Sequence, residues 1–185
     1  GGKGAGYERW AKVYNLKAAA KAILFLQENG IQTMEQLREK TEDIINCGHE
    51  LLASVKESEK KMAEIAALRK HIINYAKTRE TYVAYRKTGY SSKFYEAHRE
   101  ELSLHMAAKA AFDQLETPTI PKVKELNAEY AEILGRKKKA YAEYRKIRPE
   151  MQNYQIALKV AEVCVDDENE QEINQKEQEQ PSVQH

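Results

Sequence analysis

At 185 residues the chain has room for one domain, or one domain and a tail. It is 42% hydrophobic but only 8% aromatic, and 32% of it is charged, which favours long solvated helices over a thick globular core. No apolar run approaches the roughly 20 residues that span a bilayer, and no signal peptide with a basic start and apolar centre is present, so a cytoplasmic protein is expected.

Cys47 and Cys164 lie far apart without CxxC spacing, a pattern of free thiols in a reducing compartment. The net charge of +1 hides an asymmetry. From Asp166 onward seven acids face Lys176 alone, a charge of −6, so the twenty-nine bases and twenty-two acids before them leave the body at +7. A basic body is compatible with a nucleic-acid partner, although such charge often serves only solubility.

Residues 1–6, GGKGAG, read as a linker, and the chain is expected to be a segment of something longer. Residues 7–30 read as a helical pair. Trp10, Val13 and Tyr14 share a face of the first helix, and Asn15 is the N-cap of a second whose apolar stripe includes Leu16, Ala19, Ile23 and Leu26. Gly30 closes it in the left-handed conformation. A pair this apolar has to dock on something.

Thr33 and Gln36 form a capping-box pattern. Met34, Leu37, Thr41, Ile44, Gly48, Leu51, Val55, Ser58, Met62 and Ile65 then recur at alternating three and four, the mark of a helix packed along a coiled-coil seam. After Ile65 the better frame is Leu68, Ile72, Tyr75, Arg79 and Tyr82, a slip that implies a change of winding or of packing partner. Without Pro from Thr33 to Lys87, this predicts a helix of roughly 80 Å, with Thr41, Gly48 and Ser58 as its weak points.

Gly89 ends that helix, and Ser91 or Ser92 caps a shorter one with Phe94, Tyr95 and His98 facing inward. Leu104, Ala107, Ala108, Ala111, Phe112 and Leu115 then offer a close-packing face. Thr117–Pro121 is a connector, because two prolines remove donors, and Pro121 is expected early in the next helix. The second seam runs Val123, Leu126, Tyr130, Ile133, Lys137, Ala140, Tyr144, Ile147, Met151, Tyr154, Leu158, Ala161 and Val165, twelve of its thirteen positions apolar or tyrosine. Pro149 is expected to kink or break it near Ile147. Residues 166–185 are expected to be an acidic disordered tail.

The fold class is therefore all-α: an elongated antiparallel coiled-coil-like helical hairpin over residues 31–165, with a small helical cap at 90–116 and an N-terminal helical pair. The entropy of ordering so long an arm makes homodimerisation a reasonable expectation.

No catalytic set stands out. His98 and His105 lie seven residues apart, too far to converge on one metal ion as HExxH does, and Tyr75, Tyr82, Tyr130, Tyr144 and Tyr154 occupy packing positions and not nucleophile sites. No metal, cofactor or catalytic residue is expected. The remaining pattern is basic: Arg69, Lys70, Lys77, Arg79, Arg86, Lys87, Lys93 and Arg99 interleave with Tyr85, Tyr90 and Tyr95, and a second run holds Arg136, Lys137, Lys138, Lys139 and Arg145. Cations interleaved with aromatics can follow a phosphate backbone and stack on unpaired bases. Nearby acids such as Glu80, Glu96 and Glu101 favour the plainer reading of a solvated face.

Two blocks, GYERWAKVYNLK at 6–17 and LRKHIINYAKTRETYVAYRKTGYSSKFYEAHREELSLHMAAKAAFD at 68–113, together with RKKKAYAEYRKIRPEM at 136–151, resemble the C-terminal region of relaxases, the mobilisation nucleases of conjugative and mobilisable elements in Gram-positive gut bacteria. The resemblance covers most of residues 6–163 and departs from the family's pattern at Pro149. It implies a parent whose nuclease domain, with a catalytic tyrosine and a histidine-bound metal, precedes residue 1, so no catalytic residue carries over. It further implies a bacterial cytoplasmic, non-catalytic module. Its expected partners are transfer-origin or single-stranded DNA, coupling components of the secretion machinery, or a second copy. A coiled-coil scaffold without DNA contact is the alternative.

Overall fold

The structure, a computed structural model, describes residues 5–179, with side chains described from residue 16 onward. Among these residues the fold is all-α, with no strand and five helices: α1 (Ala5–Glu28), α2 (Met34–Lys87), α3 (Ser92–Ala97), α4 (Arg99–Asp113) and α5 (Val123–Glu179). None of them is long and apolar enough to cross a membrane. The chain divides into two compact units: a terminal one, Gly1–Leu51 with Ala142–His185, and a central one, Leu52–Tyr141. Both draw on α2 and α5.

In the terminal unit, α1, α2 and α5 share one core. Ala22, Ile31, Leu37, Tyr154 and Ala157 are buried in it, and Phe25, Leu26, Met34, Ile44, Leu158 and Ala161 pack around them. Phe25 meets Tyr154 edge-on at 4.9 Å between ring centres. The weak seam positions have definite roles here. The buried Thr41 hydroxyl donates to the Leu37 carbonyl at 2.6 Å, so it leaves no unpaired group. Gly48 admits the Met151 thioether so closely that a Cβ there would lie 2.6 Å from the sulfur.

In the central unit, α2 and α5 run antiparallel. Lys137 pairs with Glu59 at 2.9 Å, and Arg69 donates to Asn127 at 2.8 Å, so ten residues forward along α2 match ten back along α5. Between these contacts Ile65, Leu126 and Ile133 are buried, with Met62, Leu68, Ile72 and Tyr130 against them. By that register α5 begins opposite Ile73, and α2 continues for another fourteen residues, where α4 becomes its neighbour. The slip read after Ile65 precedes this change of partner, since Leu68 and Ile72 still pack in the core with Leu126 and Ile133.

Both tight turns use the same closure. After α1, the N–H of Gly30 donates to Gln27 O and that of Ile31 to Leu26 O; after α2, Gly89 donates to Arg86 O and Tyr90 to Tyr85 O. These paired bonds are the Schellman motif, with a left-handed glycine at φ +66° in each. The accompanying apolar contact is present as well: Ile31 and Leu26 share the terminal core, and the Tyr90 and Tyr85 rings meet at 5.2 Å. α2 starts on Thr33, whose hydroxyl accepts from the Gln36 N–H at 3.1 Å, while the Gln36 side chain accepts from the N–H of Gln32. α5 starts after Lys122, whose N–H donates to Glu125. Pro121 therefore precedes the helix by two residues and is not its first turn.

Several expectations are corrected. The helical pair over residues 7–30 is one helix, because Asn15 is only modestly unfavourable inside a helix and no Gly or Pro interrupts residues 7–29. The side chains of Trp10, Val13 and Tyr14 lie outside the described residues, as do residues 1–4 of the linker; Ala5 and Gly6 belong to α1. α5 passes through Pro149 unbroken. Pro149 cannot donate to the Arg145 carbonyl, but both residues are exposed, and the seam resumes at Met151. The stretch from Asp166 is helical as far as Glu179, and residues 180–185 lie outside the described residues. Its Glu, Gln and Lys residues are good helix formers, and extending an existing helix avoids the cost of nucleation. Poverty in apolar residues excluded a core there, not a helix.

The glycines give a paired prediction. Nothing lies within 4 Å of a Cβ at Gly30 or Gly135, so packing is silent at both and the backbone decides. Gly30→Ala is expected to destabilise by about 1–2 kcal/mol, the penalty of a left-handed L-residue. Gly135→Ala, inside α5, is expected to stabilise by about 0.5–1 kcal/mol. Urea unfolding of the two variants beside the parent chain measures both, and shifts of the same sign would refute the assignment.

Candidate nucleic-acid interface

The C-terminal half of α2 and the α3–α4 cap, all in the central unit, contain seven of the twelve basic positions. The cap is held by one side chain that sequence periodicity assigned no role. His105 of α4 is 1% exposed and stacks on Tyr75 and Tyr82, which stand two turns apart on α2, at 4.6 and 4.3 Å between ring centres. Its Nδ1 lies 2.9 Å from the hydroxyl of Thr78, which is also buried. That hydroxyl sits 2.7 Å from the Asn74 carbonyl, and a carbonyl can only accept. The Thr78 proton therefore goes to Asn74, and His105 must donate from Nδ1–H, which assigns its tautomer. Phe112 meets Tyr75 edge-on, Lys109 lies over the Tyr82 ring at 4.8 Å, and Thr81 donates to Glu101.

These contacts correct two details of the sequence reading. α4 buries Leu102, His105 and Ala108, while Leu104 and Ala107 are exposed. On α2 the buried position is Thr78 and its neighbour Arg79 is exposed. In both places a polar residue able to complete its hydrogen bonds displaced the expected one. His98 is also exposed, because it joins α3 to α4 at φ −125°, ψ 30° and does not pack inward. Phe94 and Tyr95 do pack, on Tyr85, at 6.1 and 6.0 Å between ring centres. The Ser91 hydroxyl caps α3 by accepting from the Phe94 N–H at 3.4 Å.

The twelve basic positions fall into different groups. Arg69 and Lys137 are half-buried and engaged between α2 and α5, Arg69 with Asn127 and Lys137 with Glu59, so neither is free for a ligand. Lys70, Lys77, Arg79, Arg86, Lys87, Lys93, Arg136, Lys138, Lys139 and Arg145 are exposed, and among the described residues none of them forms an ion pair. At about 100° per residue, Lys70 and Lys77 share one flank of α2, while Arg79 and Arg86 share the opposite flank, with Lys87 between. On α5, Arg136 and Lys139 share a face that Lys138 does not. Arg145 belongs to the terminal unit. No single basic stripe collects them all.

One group lies about the α2–α3 turn. Arg86, Lys87 and Lys93 are exposed there, as is Tyr90, at 57%. Tyr90 has φ +62°, a left-handed conformation that costs an L-residue about 1–2 kcal/mol. The Tyr85 contact and the turn hydrogen bonds hold it there. Val83, Arg86 and Lys87 line a shallow hollow of about 330 Å³. This arrangement offers cations and one accessible aromatic face on a locally fixed backbone. Chemically it can bind anions and stack on a planar group; among the described residues no three His, Cys, Asp or Glu side chains converge to hold a metal.

Burial, and next the charge of Lys109, lower the pKa of His105 below its ordinary 6.5. Folding thus favours the neutral ring. The stabilisation is complete above pH 6.5 and is lost as pH falls through that value towards the lowered one, because the unfolded chain then binds a proton that the folded chain does not. Urea unfolding of the central unit, followed by Tyr fluorescence across pH 7.5 to 5, is therefore expected to shift to lower urea on acidification. His105→Phe should abolish that dependence; an unchanged pH profile in the variant would exclude His105 as its source.

Comparison of the chain with protein-family models, curated proteins and solved structures finds no match.

Proposed function

We propose that the chain is a non-catalytic helical module of a DNA-transfer relaxase, which helps to assemble or position the enzyme on transfer-origin DNA or at the secretion machinery. The observation that carries the reading is the turn after α2. Exposed Arg86, Lys87 and Lys93, none of them ion-paired among the described residues, flank the exposed Tyr90 along the chain there, inside the 68–113 block that bears the relaxase resemblance. Cations bind phosphates without regard to sequence, and an exposed aromatic ring adds stacking on an unpaired base. Single-stranded DNA, the form in which a nicked strand is transferred, suits that combination better than a duplex whose bases are already stacked. The DNA-free alternative, a coiled-coil scaffold, draws its support from the long α2 and α5 seams.

A salt titration of binding to single-stranded DNA separates the two. Arg86→Glu/Lys87→Glu is expected to weaken binding and to lower the salt slope by about 1.4, at roughly 0.7 per lost phosphate contact. Lys70→Glu/Lys77→Glu, on one flank of α2, should have the smaller effect. No binding at low salt would remove the DNA contact and leave the scaffold. Unchanged transfer frequency after deletion of this segment from its parent protein would remove the module reading altogether.

A further inference from the structure

Among the described residues of the terminal unit, two exposed surfaces complement each other. Between residues 16 and 28, α1 has apolar side chains on more than one face, beside a polar strip of Lys17, Lys21 and Glu28. Ala22 and Phe25 face the core, while Leu24 is 55% exposed on the other side. Between α1 and α5 runs a groove of about 600 Å³ with small side chains, Ala18, Ala22 and Ala157, in its lining, and Leu24 and Ile156 as exposed apolar edges. Lys17, Lys21 and Glu28 also line it, all three exposed, and neither lysine is ion-paired among the described residues. Alanines of this kind leave room for the close approach of a helix, and the two lysines, outnumbering Glu28, favour an acidic one.

Such a helix is present on the chain. Beyond Ala161 every described residue of α5 is exposed, as far as Glu179. Val163, Asp166, Glu170, Ile173 and Glu177 follow one another at alternating three and four, so one stripe presents two exposed apolar side chains among three carboxylates. The stripe cannot reach the groove of its own chain, because α5 is one continuous helix and leaves the core after Ala161.

We infer that the α1–α5 groove of the terminal unit receives the acidic end of α5 from a second copy of this chain. A two-fold pair closes both contacts at once, each copy offering its groove and its stripe. Ile173 enters the alanine-lined floor, and the flanking carboxylates meet Lys17 and Lys21. This dimer does not depend on DNA contact at the α2–α3 turn.

Charge exchange tests it in the full chain, by sedimentation velocity at tens of micromolar in low salt. The unaltered chain is expected to be a dimer. Lys17→Glu/Lys21→Glu sets like charges against each other, as does Asp166→Lys/Glu170→Lys/Glu177→Lys. Each variant alone is expected to raise the apparent dissociation constant by about tenfold or more. An equal mixture of the two restores opposite charges at both contacts and is expected to dimerise again. Circular dichroism verifies that helix content is kept; if a charge-reversed variant unfolds, Ile173→Asp, at an exposed position, serves in its place and should also dissociate the dimer. A monomeric parent chain, a variant that dimerises as well as the parent, or a mixture no better than its components would each overturn the inference.

Discussion

A long amphipathic helix has to be covered along its whole apolar face, and in the central unit one partner cannot cover α2. α5 starts opposite Ile73, so the last fourteen residues of α2 would expose Tyr75, Thr78, Tyr82 and Tyr85. The intervening chain supplies the cover: α4 lies against this end, with Phe112 near Tyr75, His105 near Thr78 and Glu101 near Thr81. These pairs also run antiparallel. α3 completes the arrangement by seating Phe94 and Tyr95 on Tyr85. The cap is thus the continuation of the seam by other residues. The exposed basic turn stands at its edge because Gly89 and Tyr90 reverse the chain where α2 ends.

Most of the helical architecture was legible because it follows from a repeat. The positions spaced at three and four along α2 up to Ile65 are buried or half-buried, and so are those along α5 except Val165. Such a pattern survives small polar insertions, as Thr41 and Gly48 show: a threonine that bonds its own backbone and a glycine that admits a methionine both serve the seam. The pattern fails where burial is decided by pairing across helices. Nothing local marks Thr78 as buried in place of Arg79; its place depends on His105, twenty-seven residues away. A histidine on a helix rich in alanine could have been singled out as the complement of tyrosines two turns apart, but the partner helix had first to be known.

The candidate site was legible only as composition. The sequence grouped the cations by nearness along the chain, whereas a helix scatters consecutive residues around its axis, so the run Arg136 to Lys139 divides and Lys137 is drawn into a pair with Glu59. Arg69 is likewise occupied, bonded to Asn127 and lying 6.0 Å from the centre of the Tyr130 ring. What remains around Arg86, Lys87 and Lys93 owes its coherence to the turn. The acidic stretch after Asp166 shows the same limit from the other side, since charge without apolar residues leaves helix formation open.

The two Schellman closures have a consequence for how the chain folds. Each joins groups only five residues apart, Leu26 with Ile31 and Tyr85 with Tyr90, and each places its apolar contact within the same span. Their formation needs no distant part of the chain, so they belong to the fast local events of folding, ahead of any contact that must close a long loop. The connector between α4 and α5 has no such closure, and its two prolines only stiffen it. Docking of α5 against α2 therefore carries the entropic cost of the long loop, while the reversals at Gly30 and Gly89 set the chain's direction early.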